Sequence, residues 1–157
     1  MAAQKICALF HNVRSAHNVG ALLRTADGAG ASKIYLTGIT PQPVDRFGRP
    51  DKRIAKTALG AERIVPWQYV KNHSDVIARL RADGWQIVGV EQDARSVDYR
   101  AFHMEKPTLF VFGNEVRGLS PALRTRCDAL IEIPMRGKKE SLNVSVAAGI
   151  ILFRFAG

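Results

Sequence analysis

The sequence predicts an α/β domain, a parallel sheet flanked by helices, and three observations carry that prediction. Short, nearly continuous apolar runs recur along the chain, the pattern of strands buried on both faces. Between them lie segments whose apolar residues repeat at helical spacing. Polar stretches rich in Gly, Asn, Arg or Ser follow the strands, where sheets of this kind bind ligands. With 157 residues, 46% of them hydrophobic, the chain suits one domain over 1–157 with a core of its own.

KICALF (5–10) reads as the first strand and SKIYLTG (32–38) as the second, both rich in β-branched and aromatic residues. NVGALLRTADGAG (18–30) between them reads as a helix with Asn18 as its N-cap. Val19, Leu22, Leu23 and Ala26 share one face, and Gly28 and Gly30 end it. Asp51 to Gly60 is a second helix, with Ile54, Ala55, Ala58 and Leu59 on one side. Ser74 caps a third that runs to Ala82 and stops at Asp83-Gly84. WQIVGVE (85–91) and TLFVFG (108–113) are near-continuous apolar strands. Pro121 suits the first turn of a helix ending near Cys127. ALIEIP (129–134) is the last strand, and a final helix runs from Val144 to Phe153 with no charge on any face. The order is β-α-β, then α-α-β-β-α-β-α.

Lys and Arg number 23 against 14 Asp and Glu, a formal charge of +9 that attracts phosphate polymers or anionic surfaces. No apolar run is long enough for a membrane span, and the start, MAAQKICALF, has no secretory pattern. Cys7 and Cys127 sit beside apolar residues, as reduced thiols in a cytoplasm would. No Walker loop or GxGxxG is present, which argues against a nucleotide hydrolase. His11 and His17 lack further ligands at metal-binding spacing, so no metal is expected. No Ser-His-Asp or Cys-His arrangement supports nucleophilic hydrolysis either.

Four segments follow strands: HNVRSAHN, EQDARS, GNEVRGLS and MRGKKESLN. GNEVRGLSP (113–121) holds more than a turn needs, since Gly and Asn alone would suffice and Glu115 and Arg117 are added. Around the first helix start lie Arg14, Asn18 and Arg24. Arg24, next to Leu22-Leu23, is either a surface arginine laid over the helix or a group awaiting a ligand. DRFGRPDKRIAK (45–56) gathers Arg46, Arg49, Lys52, Arg53 and Lys56 around Phe47, either a phosphate-tracking loop or a solvated charged face.

Three segments together resemble the SpoU/TrmH family of SPOUT-class RNA methyltransferases. They are NVGALLRTADGAGASKIYLTG (18–38), LFVFGNEVRGLS (109–120) and IEIPMRGKKESLNVSVAAGIILF (131–153), in the family's order and spacing, with KTALGAERIVPW (56–67) between the first two. The resemblance covers nearly the whole chain. It implies S-adenosylmethionine as methyl donor, a ribose 2′-hydroxyl of tRNA or rRNA as acceptor, a homodimer, and a C-terminal deep trefoil knot. A knot and a dimer mate together would leave the last helix little solvent-facing side. The RGKKES loop before it would wrap the cofactor, Gly137 allowing close backbone approach.

Carried over by position, the cofactor would be held near Val90, Gly113, Ile133, Ser141 and Leu142, with Leu142 against the adenine. Arg24 matches the family's catalytic arginine, and Asn18, Glu115, Ser141 and Asn143 match the polar residues that position it and the substrate. A guanidinium keeps its proton, so Arg24 is expected to orient the ribose and stabilise the developing alkoxide while solvent or phosphate takes the proton. Many relatives carry an extra RNA-binding domain. Here recognition is expected from the dimer surface, including Arg46 to Lys56, or from an auxiliary RNA-binding protein. The alternative expectation is a catalytically idle RNA-binding or assembly module that kept the fold.

Overall fold

The computed structural model describes residues 4–157, so the first residues of MAAQKICALF, read as carrying no secretory signal, lie outside the described residues. Seven parallel strands form one sheet in the order β3-β2-β1-β6-β4-β7-β5. They are β1 (Ile6–His11), β2 (Lys33–Thr37), β3 (Trp67–Val70), β4 (Gln86–Val90), β5 (Val97–Asp98), β6 (Thr108–Phe112) and β7 (Ala129–Glu132). The helices are α1 (Ala16–Ala29), α2 (Lys52–Ala58), α3 (His73–Ala82), α4 (Pro121–Arg126) and α5 (Val144–Phe155). No helix is long and apolar enough to cross a membrane, among the described residues.

Why the strands lack polar alternation is visible in β1. Ala8 and Phe10 join the core beneath α1, α2 and α5, while Cys7 and Leu9 join a second core beneath α3 and α4. Both faces are covered, so both sets of alternate residues are apolar. Burial pushes the thiols of Cys7 and Cys127 up to about 11, which keeps them protonated and unreactive.

Several boundaries differ from those expected. α1 starts at Ala16, and its N-cap is Ser15, whose hydroxyl accepts from the Asn18 amide at 3.1 Å. Two cap-competent residues lie three apart, and Asn18 uses its side chain elsewhere, as described below. α3 starts at His73 with Asn72 as its N-cap, two residues ahead of the expected Ser74 cap. β3 and β5, absent from the expected order, are short edge strands only partly buried. Both are short and neither is a continuous apolar run, the pattern that marks the central strands.

Gly20 sets how closely two helices meet. A Cβ there would strike Thr57 and the backbone of Ile54 and Ala58 on α2, whose Thr57 hydroxyl donates to the His17 carbonyl at 2.8 Å. Gly20→Ala would gain about 1 kcal/mol of helix propensity on an isolated helix. Here the overlap is with backbone, and forced overpacking costs about 1–3 kcal/mol or more. We therefore expect Gly20→Ala to be net destabilising in chemical denaturation, whereas an unchanged or raised midpoint would mean the helices separate at no cost.

Candidate functional site

The carboxyl ends of β4, β6 and β7 open onto one cavity of about 310 Å³. Its walls are residues 90–92, the turn after β6, the segment after β7, and the first turn of α5. Val90, Gly113, Ile133, Ser141 and Leu142 all line it, as does Glu115. Val90, Ile133 and Leu142 supply apolar surface. The charged lining is Glu91, Glu115, Glu132 and Glu140 against one cation, Arg117, in a chain of net charge +9.

Glycine is required in the turn after β6. A Cβ on Gly113 would run into the backbone of Gly118 and Leu119, and Gly118 itself has a φ of 66°. The Asn114 side-chain carbonyl accepts from the amides of Val116 and Arg117, both at 2.9 Å, and its Nδ2 donates to the Asn12 carbonyl beyond β1 at 2.8 Å. The far side of the turn is clamped through Leu119. Its amide donates to Glu91 Oε2 at 2.7 Å, and its carbonyl accepts from Arg124 Nε at 2.9 Å. Sequence reasoning missed Glu91 and Arg124, because nothing in EQDARS says that its first residue reaches across to a turn 28 positions on.

The turn in turn grips the start of α1. Glu115 Oε1 accepts from the Arg14 amide and Oε2 from the Ser15 amide, each at 3.0 Å, and Oε2 also accepts from Asn18 Nδ2 at 3.3 Å. Burial works to raise the Glu115 carboxyl, but these donors outweigh it and hold it below its ordinary value. Asn18 Oδ1 accepts from Asn143 Nδ2 at 3.4 Å, and Asn143 Oδ1 accepts from the amide and hydroxyl of Ser145 at 2.8 and 2.6 Å. A polar chain thus runs Ser145–Asn143–Asn18–Glu115, joining the N-termini of α5 and α1 to the cavity wall.

Arg24 is not part of that chain. It is exposed on α1, in a shallow hollow with Ala21, Thr25, Lys56, Thr57 and Leu59. α5 lies alongside α1 in the same direction, Asn143 by Asn18, Gly149 by Thr25 and Phe153 by Gly28. Arg14 touches Glu115 through its backbone amide. Of the basic segment, Arg49 pairs with Asp45 at 2.8 Å and Arg53 with Asp51 at 2.9 Å, while Arg46, Lys52 and Lys56 make no ion pair among the described residues. A Cβ on Gly137 would meet nothing within 4 Å, and its φ is not positive.

The profile described as the SpoU rRNA Methylase family matches residues 5–153. The 23S rRNA (guanosine-2′-O-)-methyltransferase RlmB of Ralstonia nicotianae is 39% identical over 141 residues, which are 90% of this chain and 54% of that protein. RlmB of Vibrio parahaemolyticus gives the same 39% over 141 residues, with the same coverage of 90% and 54%. The chain therefore spans about half the length of the curated relatives it matches. Among solved structures, the SpoU methyltransferase AviRb from Streptomyces viridochromogenes, in complex with AdoMet, superposes with a TM-score of 0.87 at 28% identity, over 99% of this chain and 61% of that one. An AdoMet-bound rRNA methyltransferase from Sinorhizobium meliloti gives 0.86 at 35% identity, over 97% and 56%.

Proposed function

The chain belongs to the SpoU rRNA Methylase family, and from that premise we propose that it is an enzyme transferring a methyl group from S-adenosylmethionine to a ribose 2′-hydroxyl of tRNA or rRNA. The observation that carries the proposal is the single cavity that gathers Val90, Gly113, Ile133, Ser141 and Leu142 beside Glu115. Its residues fit the cofactor in two respects. The apolar wall of Val90, Ile133 and Leu142 suits a flat adenine, and four glutamates against one arginine suit a ligand bearing a sulfonium cation. When bound, S-adenosylmethionine supplies an electrophilic methyl group.

What the chain must add is alignment, since in-line displacement gains much of its rate from holding the reacting atoms in place. Glu115, Asn18 and Asn143 hold the cavity wall and both helix starts in one geometry. Ser141 borders the cavity with its side chain exposed, placed to meet substrate or cofactor. Arg24 orients the acceptor ribose or its phosphate and stabilises the developing alkoxide. The hydroxyl proton passes to solvent or phosphate, because a guanidinium does not release its own.

Leu59, at 66% exposure, shares the hollow with Arg24, and α5, alongside α1, carries Val146 and Phe153 at 50% and 56% exposure. A second copy of the chain covers this α1–α5 face, forming a homodimer that sets Arg24 at the subunit boundary. The segment between β7 and α5 is threaded as a trefoil knot. Support for that path comes from β7 pairing with β4, while α5 returns to α1 over the other half of the sheet. Arg14, Arg46, Arg49, Lys52, Arg53 and Lys56 attract the RNA backbone. The enzyme works in the cytoplasm, where its two free cysteines remain thiols.

Incubation with labelled S-adenosylmethionine and unmodified bulk tRNA and rRNA, followed by nucleoside analysis, is expected to place label in a 2′-O-methyl nucleoside. Label in a base-methylated nucleoside would overturn the acceptor. Cofactor binding without transfer would point to an auxiliary RNA-binding protein as the missing partner. Absence of cofactor binding would leave an idle RNA-binding module.

A further inference from the structure

The loop between β2 and α2 carries an aromatic ring in an unusual setting. Phe47 is 66% exposed, and two guanidinium groups lie over its ring, Arg46 at 4.8 Å and Arg49 at 5.0 Å from the centroid. One exposed apolar side chain is ordinary on a protein surface. Here the loop tip that carries the ring is also held in place. Asp45 Oδ1 accepts from the amides of Phe47 and Arg49 at 2.8 and 2.9 Å, and Oδ2 from Arg49 Nε at 2.8 Å. The legs of the loop pair through Val44 and Pro50. Ordering such a tip on binding costs little, because it is already ordered.

We propose that Phe47, with Arg46 and Arg49, is a stacking platform for one unpaired base of the RNA substrate. Aromatic rings and guanidinium planes both stack on the π-face of any base, and cations beside them meet the adjoining phosphates. In a duplex those faces are hidden within the base stack, so the platform selects a loop, a bulge or a single strand. The position suits a nucleotide close to the acceptor, and here the inference rests on the methyltransferase reading. β2 is two strands from β6, or about 10 Å at the usual strand spacing, and both loops leave the same edge of the sheet. A strand of RNA with its ribose at the cavity therefore passes the tip within a short run of nucleotides. Beside the tip, Arg49 also lines an open hollow with Ile39, Pro41 and Tyr69, which gives a displaced base room to lie against apolar surface.

The test compares the full chain with Phe47→Ala, Phe47→Trp and Arg46→Ala on two probes, a single-stranded oligo(A) and a blunt RNA duplex of equal length. Phe47→Ala is expected to weaken oligo(A) binding by about tenfold, leave duplex binding unchanged, and leave the salt dependence of binding unchanged. Phe47→Trp should restore the affinity, and Arg46→Ala should lower the salt slope by about one phosphate contact. Equal binding by Phe47→Ala and the parent chain would overturn the platform. So would a loss shared equally by duplex and single strand, or no binding of oligo(A) by the parent chain. Methyl transfer to bulk RNA by the same preparations separates the two readings. Transfer that persists while Phe47→Ala is neutral removes the platform alone, and loss of both removes the enzyme with it.

Discussion

Arg24→Ala is expected to lower the rate of methyl transfer by about a hundred- to a thousandfold, the usual cost of removing one group that stabilises developing charge. Cofactor affinity should stay within about twofold, since uniform binding and transition-state stabilisation are separable. The structure supports the split. Arg24 lies about 12 Å along α1 from its first residue, at 1.5 Å per residue, and does not line the cavity. Arg24→Lys keeps the charge and loses the planar fork, so it should recover only part of the rate. Near-full turnover by the lysine variant, with an unchanged pH profile, would remove the orienting role. The proposed subunit boundary adds a second readout. A mixture of Arg24→Ala chains with chains whose cavity wall is broken by Gly113→Val recovers activity only if the arginine serves the neighbouring chain's cavity.

Glu115→Ala is expected to act on both stability and rate. It leaves the Arg14 and Ser15 amides and Asn18 Nδ2 without their acceptor. Losing hydrogen bonds to a charged group costs about 1–3 kcal/mol. Because the same carboxylate fixes the cavity wall against α1, transfer should fall by about a hundredfold or more, and cofactor affinity with it. The contribution also depends on pH in a definite direction. A carboxyl held below its ordinary value of 4.5 stabilises the fold fully above that pH, and the stabilisation is lost as pH falls through the lower folded value. Melting curves of the parent chain and Glu115→Ala should therefore converge on acidification below pH 4.5. A gap in melting temperature that stays constant into acid would mean the charge of Glu115 contributes nothing.

The sheet was legible because its central strands are apolar on both faces, and β1, β2, β4, β6 and β7 were all read close to their observed limits. The two missed strands are edges. Trp67–Val70 and Val97–Asp98 each pair on one side, and half-covered strands need no continuous apolar run. At the site, residues tied to local motifs were legible, and those acting across the fold were not. Glu115 stands out within GNEVRGLS as a charge that a turn does not require. Glu91 acts on Leu119 and Arg124 acts on Asp93 and Leu119, and such long-range pairings leave no periodic trace in a single sequence. Asn18 shows the opposite error. Its residue type suits a helix cap, but Ser15 caps α1 and frees Asn18 to bridge Glu115 and Asn143.

The bridge between Asn18 and Asn143 joins residues 125 positions apart, and the grip of Glu115 on Arg14 joins residues 101 apart. β1, at the start of the chain, pairs with β6 only after about a hundred residues have intervened. Loop closure must therefore precede almost every stabilising contact at the site, which makes for slow folding. During synthesis the apolar face of α1 emerges long before α5 exists to cover it. For that interval the nascent chain presents Val19, Leu22, Leu23 and Ala26 to whatever surrounds it, an apolar surface of the kind that aggregates.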